Sequence, residues 1–149
     1  PLRALREPLH ADALYAPFGP YFPDRQRPRT RGGSRVLEIP VTMGWPTRTQ
    51  RALAMVAGAD VVRPLVLDPA RCDLQAMRNI TDRVLREAYP AVVLHLEGNA
   101  LFPGCSATGS TSEDVEAVMD RIDQFLRFAV DGARLKPSGL LDLSSKFIL

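Results

Sequence analysis

The apolar positions along the chain change period several times, and each change marks an element. Val36–Val41 (VLEIPV) is a short β-branched run that predicts a largely buried first strand, with Pro40, which has no N–H, marking the end of its pairing or an edge. Val61–Leu67 reads as a second strand and Ala91–Leu96 as a third. Between them the period lengthens. From Asp73 to Ala88, Leu74, Met77, Ile80, Thr81, Val84, Leu85 and Ala88 fall on one face of a helix that Tyr89-Pro90 stops. A second long helix is capped by Ser112, with Glu113 and Asp114 in its favourable first turn. Its stripe is Val115, Val118, Met119, Ile122, Phe125, Leu126 and Ala129, and Gly132 ends it. Thr47 or Thr49 caps a shorter helix reaching about Ala57, and Leu140–Leu143 reads as a last short strand. Strands alternating with amphipathic helices predict an α/β fold with parallel strands and right-handed crossovers, either a small open sheet or part of a (β/α) barrel.

That pattern covers residues 36–149, the expected α/β domain. Residues 1–35 differ. Pro1, Pro8, Pro17, Pro20, Pro23 and Pro28 break any period, and Gly32-Gly33 closes the segment. Its YAPFGPYFPD stretch is too rich in aromatic residues for a free tail, so an ordered extended segment lying over the domain is expected. An irregular stretch of that length is unusual in a compact domain, and together with a start at Pro1 it suggests a piece of something longer.

Composition adds limits. At 149 residues, 46% apolar and 24% charged, the chain is an ordinary globular domain with room for a core. It has no apolar run long enough to cross a bilayer and no signal-like block. The net charge of +2 hides an imbalance: residues 1–51 hold nine Arg against four acids, whereas residues 52–149 hold ten basic groups against thirteen acids. Arg25, Arg27, Arg29, Arg31 and Arg35 crowd one segment, but no aromatic residues interleave with them, so a solvated loop is favoured over an anion-binding or nucleic-acid-binding arm. Cys72 and Cys105 stand outside any CxxC pattern and give no metal or redox motif.

The stretch Val92–Gly104, VVLHLEGNALFPG, carries the candidate chemistry. An apolar strand ending in protonatable groups is where α/β proteins keep their sites. Side chains alternate along an extended chain, so His95, Glu97 and Asn99 share one face if the strand runs that far. Trp45 leaves the end of the first strand, where an aromatic ring could serve a site or fill the core. Asn99 could hydrogen-bond a ligand or simply form a local turn. Gly104–Thr111 has the spacing of a phosphate-binding loop before a helix, but Ser110 stands where the phosphate-contacting Lys belongs. A nonspecific anion site at that helix N-terminus fits better than nucleotide hydrolysis.

The second half of the chain, from VVRPLVLDPARCDL through LHLEGNALFPGCSATGSTSED to the helix ending QFLRFA, resembles the C-terminal part of polysaccharide deacetylases with the NodB-homology fold. VLEIPVTMGW and PYFPD resemble pieces that lie earlier in that family, and the likeness covers roughly residues 15–130. The resemblance implies part of an incomplete (β/α) barrel, a divalent metal such as Zn, and hydrolysis of N- or O-acetyl groups from a polysaccharide. In that family one Asp and two His from N-terminal motifs hold the metal. This chain has no Asp-Asp pair and no H-x-x-x-H, so no metal ligands are assigned to it.

The family also carries a late histidine at a strand end, acting as general acid. Read as V-L-H this is His95; aligned without a gap from Leu101-Phe102-Pro103-Gly104 it falls on Glu97, and both candidates stay open. On the resemblance, Trp45 and Asn99 would contact the glycan. The expected function is the C-terminal part of a metal-dependent polysaccharide deacetylase, inactive without its metal-bearing half, which would be another chain or a missing segment. The alternative is a non-catalytic saccharide-binding or assembly subunit that self-associates through an exposed edge.

Overall fold

The computed structural model describes residues 17–44, 56 and 64–147. Its longest elements are the two helices that the periodicity marks. Helix α1 (Leu74–Arg86) starts at Asp73, whose carboxylate accepts the Ala76 N–H at 2.7 Å. Helix α2 (Ser112–Arg127) is capped one residue before the expected Ser112, by Thr111, and continues through a π-helical turn, Phe128–Gly132. A short helix α3 (Leu140–Ser145) stands where a final strand was expected. Leu140, Leu141 and Leu143 are not branched at Cβ and favour a helix, and Asp142 sits in its first turn, so the local preference runs against a strand.

The strands are shorter than their apolar runs. β1 (Met43–Gly44) lies just beyond Val36–Val41, and β2 (Leu65–Val66) falls inside the second run. Val36–Val41 forms only an isolated bridge, Tyr21 opposite Glu38, because Pro40 offers no N–H and Val36 is exposed. β1 and β2 pair antiparallel, Met43 opposite Val66 and Gly44 opposite Leu65, where parallel strands were expected. Two residues on each strand are too few to set the direction of a whole sheet. The expected helix from Thr47 or Thr49 to Ala57 lies outside the described residues apart from Val56, which is exposed.

Residues 91–97, which include the expected third strand, form neither helix nor strand and are held by main-chain bonds rather than by a ladder. Thr42 N–H donates to Val93 O (3.1 Å), Leu67 N–H to Thr42 O (2.8 Å) and His95 N–H to Leu67 O (2.9 Å). The buried Thr42 hydroxyl accepts the Val93 N–H at 2.8 Å. Three segments distant in sequence thus meet around Thr42 and Leu67.

α1 packs on β1 on one side and on α2 on another. Leu67, Cys72, Ala76, Met77, Ile80, Phe125 and Ala129 form the core between them, flanked by Val92 and Leu94 from the third segment. Helix and strand approach closely at Gly44, where a β-carbon would lie 2.7 Å from Ile80 Cγ1. That packing fixes the chain just after β2, where the polar groups gather.

Candidate functional site

The site is built on the turn between β2 and α1. Asp68 follows the fully buried Leu67 and is itself 1% exposed. Its Oδ1 accepts the Ala70 N–H at 2.8 Å, and its carbonyl accepts the N–H groups of Arg71 (3.1 Å) and Cys72 (2.8 Å). This is an Asx-type turn, which folds the carboxylate back over the chain instead of releasing it to water. The Arg121 guanidinium of α2 donates to the Pro69 carbonyl and clamps the same turn from the far side.

Because His95 N–H is bonded to Leu67 O, the His95 ring lies next to the residue after Leu67. Its Nδ1 is 3.2 Å from Asp68 Oδ2, and the side chain is 36% exposed. A carboxylate can only accept, so Nδ1 carries the hydrogen and Nε2 is left for whatever approaches from outside. Arg71 joins the second candidate to the first: its Nε is 3.5 Å from Asp68 Oδ2 and its Nη2 is 2.9 Å from Glu97 Oε1. His95, Asp68, Arg71 and Glu97 therefore form one chain of contacts. The Arg71–Glu97 end is in water, where such a pair adds well under ~1 kcal/mol; the His95–Asp68 end is half sheltered.

Of the residues read from the sequence, His95 and Glu97 are brought into one network. Asn99 departs from them: the extended run stops at Glu97, and Asn99 sits exposed in a 3₁₀ turn, Gly98–Leu101. Trp45 lies outside the described residues, as does His10. Asp68 and Arg71 were not singled out from the sequence. The Asp68-Pro69 pair signalled a turn, and an acid directly after an apolar run was the available hint that it serves the strand end.

The loop Gly104–Thr111 is closed on itself. Gly104, at φ +78°, donates to Gly109 O at 2.9 Å, and Ser106 pairs with Gly109. Asp114 Oδ2 accepts from the Ser110 N–H (3.1 Å), the Ser110 hydroxyl (2.7 Å) and the Thr111 N–H (3.0 Å). The N-terminus of α2 already holds a carboxylate, so the anion site suggested by the spacing is filled by the chain's own side chain.

Cys72 is buried with its thiol on Val66 O at 3.0 Å, and burial pushes the thiol up, which makes it a donor rather than a nucleophile. Among the described residues no three His, Cys, Asp or Glu side chains gather as metal ligands would. The group around Asp68 does not suit a metal, since a guanidinium stands 3.5 Å from the oxygen a cation would need. Among the described residues, too, no helix is long and apolar enough to cross a membrane. Comparison with models of known families, with curated proteins and with solved structures found nothing that matches this chain.

Proposed function

We propose that this chain supplies the histidine-bearing rim of a polysaccharide deacetylase domain of the kind its sequence resembles, with the metal-holding residues provided from outside it, and that alone it does not turn over acetylated glycans. The observation that carries this reading is the contact of His95 Nδ1 with the buried Asp68 carboxylate at 3.2 Å, which orients the ring and leaves Nε2 outside that contact on a partly exposed side chain. In the protonated imidazole both ring nitrogens carry hydrogens. When the tetrahedral adduct at the acetyl carbon collapses, the bond from that carbon to the sugar nitrogen or oxygen breaks. The leaving atom takes the Nε2 proton, and the electron pair of that N–H stays on the ring.

Between the two alignments this favours His95 as the acid. Glu97 is anchored to Arg71 in water and acts by holding that arginine against Asp68. No step through a metal is assigned to this chain's residues.

The test is an imidazole ¹⁵N spectrum, interpretable because the sequence has only two histidines. The neutral His95 is expected as the Nδ1–H tautomer, and Asp68→Asn, which offers an N–H₂ in place of an oxygen, is expected to upset that preference. Acetylated chito- or xylo-oligosaccharide in the millimolar range is expected to move the His95 resonances. A wild-type ring in the opposite tautomer, or one indifferent to both oligosaccharides, overturns the reading. Turnover by the isolated chain with Zn, Co or Mn overturns the claim that it is inactive alone.

A further inference from the structure

We infer that the arginine-bearing hairpin of residues 21–35 is a docking surface for an anionic polysaccharide, an inference that rests on the proposed function for its choice of a glycan. The hairpin is built rather than loose. Tyr21 bridges to Glu38 and Pro23 to Arg31, and the arms are tied by Asp24 N–H to Thr30 O (2.8 Å), Gly32 N–H to Phe22 O (2.8 Å) and Ser34 N–H to Pro23 O (3.0 Å). The arms cross so tightly at Gly32 that a β-carbon there would lie 2.5 Å from Asp24 Cα. At the tip, Asp24 Oδ1 accepts the N–H groups of Gln26 and Arg27, each at 2.9 Å, and the buried Tyr21 donates its hydroxyl to Pro28 O at 2.8 Å.

On this frame Arg25, Arg27, Arg31 and Arg35 are exposed, and Arg29 lies among them. Asp24 is the one carboxylate in the segment, and main-chain donors already engage it beside the exposed Arg25, Arg27, Arg31 and Arg35. Guanidinium groups on an ordered turn meet carboxylates or sulfates in pairs of hydrogen bonds at little further ordering cost.

The aromatic rings here face inward: Tyr21 is 3% exposed and Phe22 is half-buried. Single-stranded nucleic acid would find little ring face on the hairpin to stack on. Duplex nucleic acid, stiff and dense in charge, would bring the net-acidic remainder of the chain, residues 52–149, against its phosphates. A thin polymer with one charge per sugar needs only the hairpin.

The experiment is binding of the full chain to polygalacturonate over a salt series, with neutral dextran, a duplex DNA fragment and phosphatidylglycerol vesicles in parallel. The triple variant Arg25→Gln, Arg27→Gln, Arg31→Gln is expected to weaken polygalacturonate binding roughly tenfold or more and to flatten its salt dependence. The charge-matched control Arg86→Gln, Arg127→Gln, Arg134→Gln is expected to change it less than about twofold if location rather than net charge decides. Backbone resonances that move in the wild-type chain should map to residues 24–31, a readout independent of how the variants fold. Absence of binding, equal loss in both triple variants, or tighter binding to DNA or vesicles overturns the inference. His95→Ala should leave polygalacturonate binding intact. Loss of binding in His95→Ala overturns the assignment to the hairpin. In the wild-type chain, absence of polygalacturonate binding while neutral acetylated oligosaccharides still move the His95 resonances sinks this inference alone, and the converse sinks only the reading of His95.

Discussion

Ala88 ends α1 at φ +54°, a region that costs an L-residue with a β-carbon of order 1 kcal/mol. The hydrogen bonds explain why it is held there. Tyr89 N–H reaches back to Val84 O and Ala88 N–H to Leu85 O, each at 3.1 Å, closing the last turn in the arrangement that usually places glycine at this point. Ala88→Gly should therefore raise stability by about 0.5–1 kcal/mol, read as a higher denaturant midpoint with unchanged slope. An unchanged or lowered midpoint would show that the bonds of the turn relax without cost.

The same scale shows how far the site was legible. His95 and Glu97 could be found because they alternate out of an apolar run. Nothing in the sequence sets Asp68 above other acids, since its role depends on His95 N–H reaching Leu67 O across more than twenty intervening residues. Arg71 follows no period, and only its contacts reveal it.

At the scale of elements, helices were read better than strands, for a physical reason. Each long helix satisfies its own backbone and exposes its period in the side chains, as the buried Met77, Ile80 and Val84 of α1 show. A strand needs a partner, and whether Val36–Val41 finds one depends on residues elsewhere. The start of α2 is the clearest local signal and carries its own test. Thr111 accepts the Asp114 N–H at 3.1 Å while Asp114 accepts from Thr111 and Ser110, a capping box with Asp in the usual place of Glu. Thr111→Ala should cost about 1 kcal/mol in denaturant unfolding at neutral pH.

The Ser110 hydroxyl first, and then the Thr111 amide, hold the Asp114 carboxyl below its usual range. A carboxyl lowered on folding stabilises the fold at pH values above its unfolded pKa of about 4 and loses that effect as pH falls through the folded value. Wild-type stability should thus decline from roughly pH 4 downward, and Asp114→Asn should be less stable at neutral pH with a shallower acid limb. An identical acid limb in both would remove Asp114 from the account.

For the whole molecule, the question is what joins segments 25 to 51 residues apart when the ladder between β1 and β2 is two residues long. The bonds centre on Thr42. Its N–H, carbonyl and hydroxyl all serve other segments, and it is 4% exposed. This was illegible in the sequence, because a Thr beside Pro40 and Val41 reads as the end of a strand rather than a junction. Thr42→Val keeps the shape but removes the acceptor of the Val93 N–H, and a buried donor left without a partner costs about 1–3 kcal/mol. Thr42→Ser keeps the hydroxyl and should recover most of that loss. If the junction carries the joining of the segments, Thr42→Val should also speed amide exchange at Val93 and at His95, although the His95 N–H bonds to Leu67 and not to Thr42. Faster exchange confined to Val93 would mean that the three segments are held independently. The site around Asp68 would then depend on the Leu67–His95 bond alone.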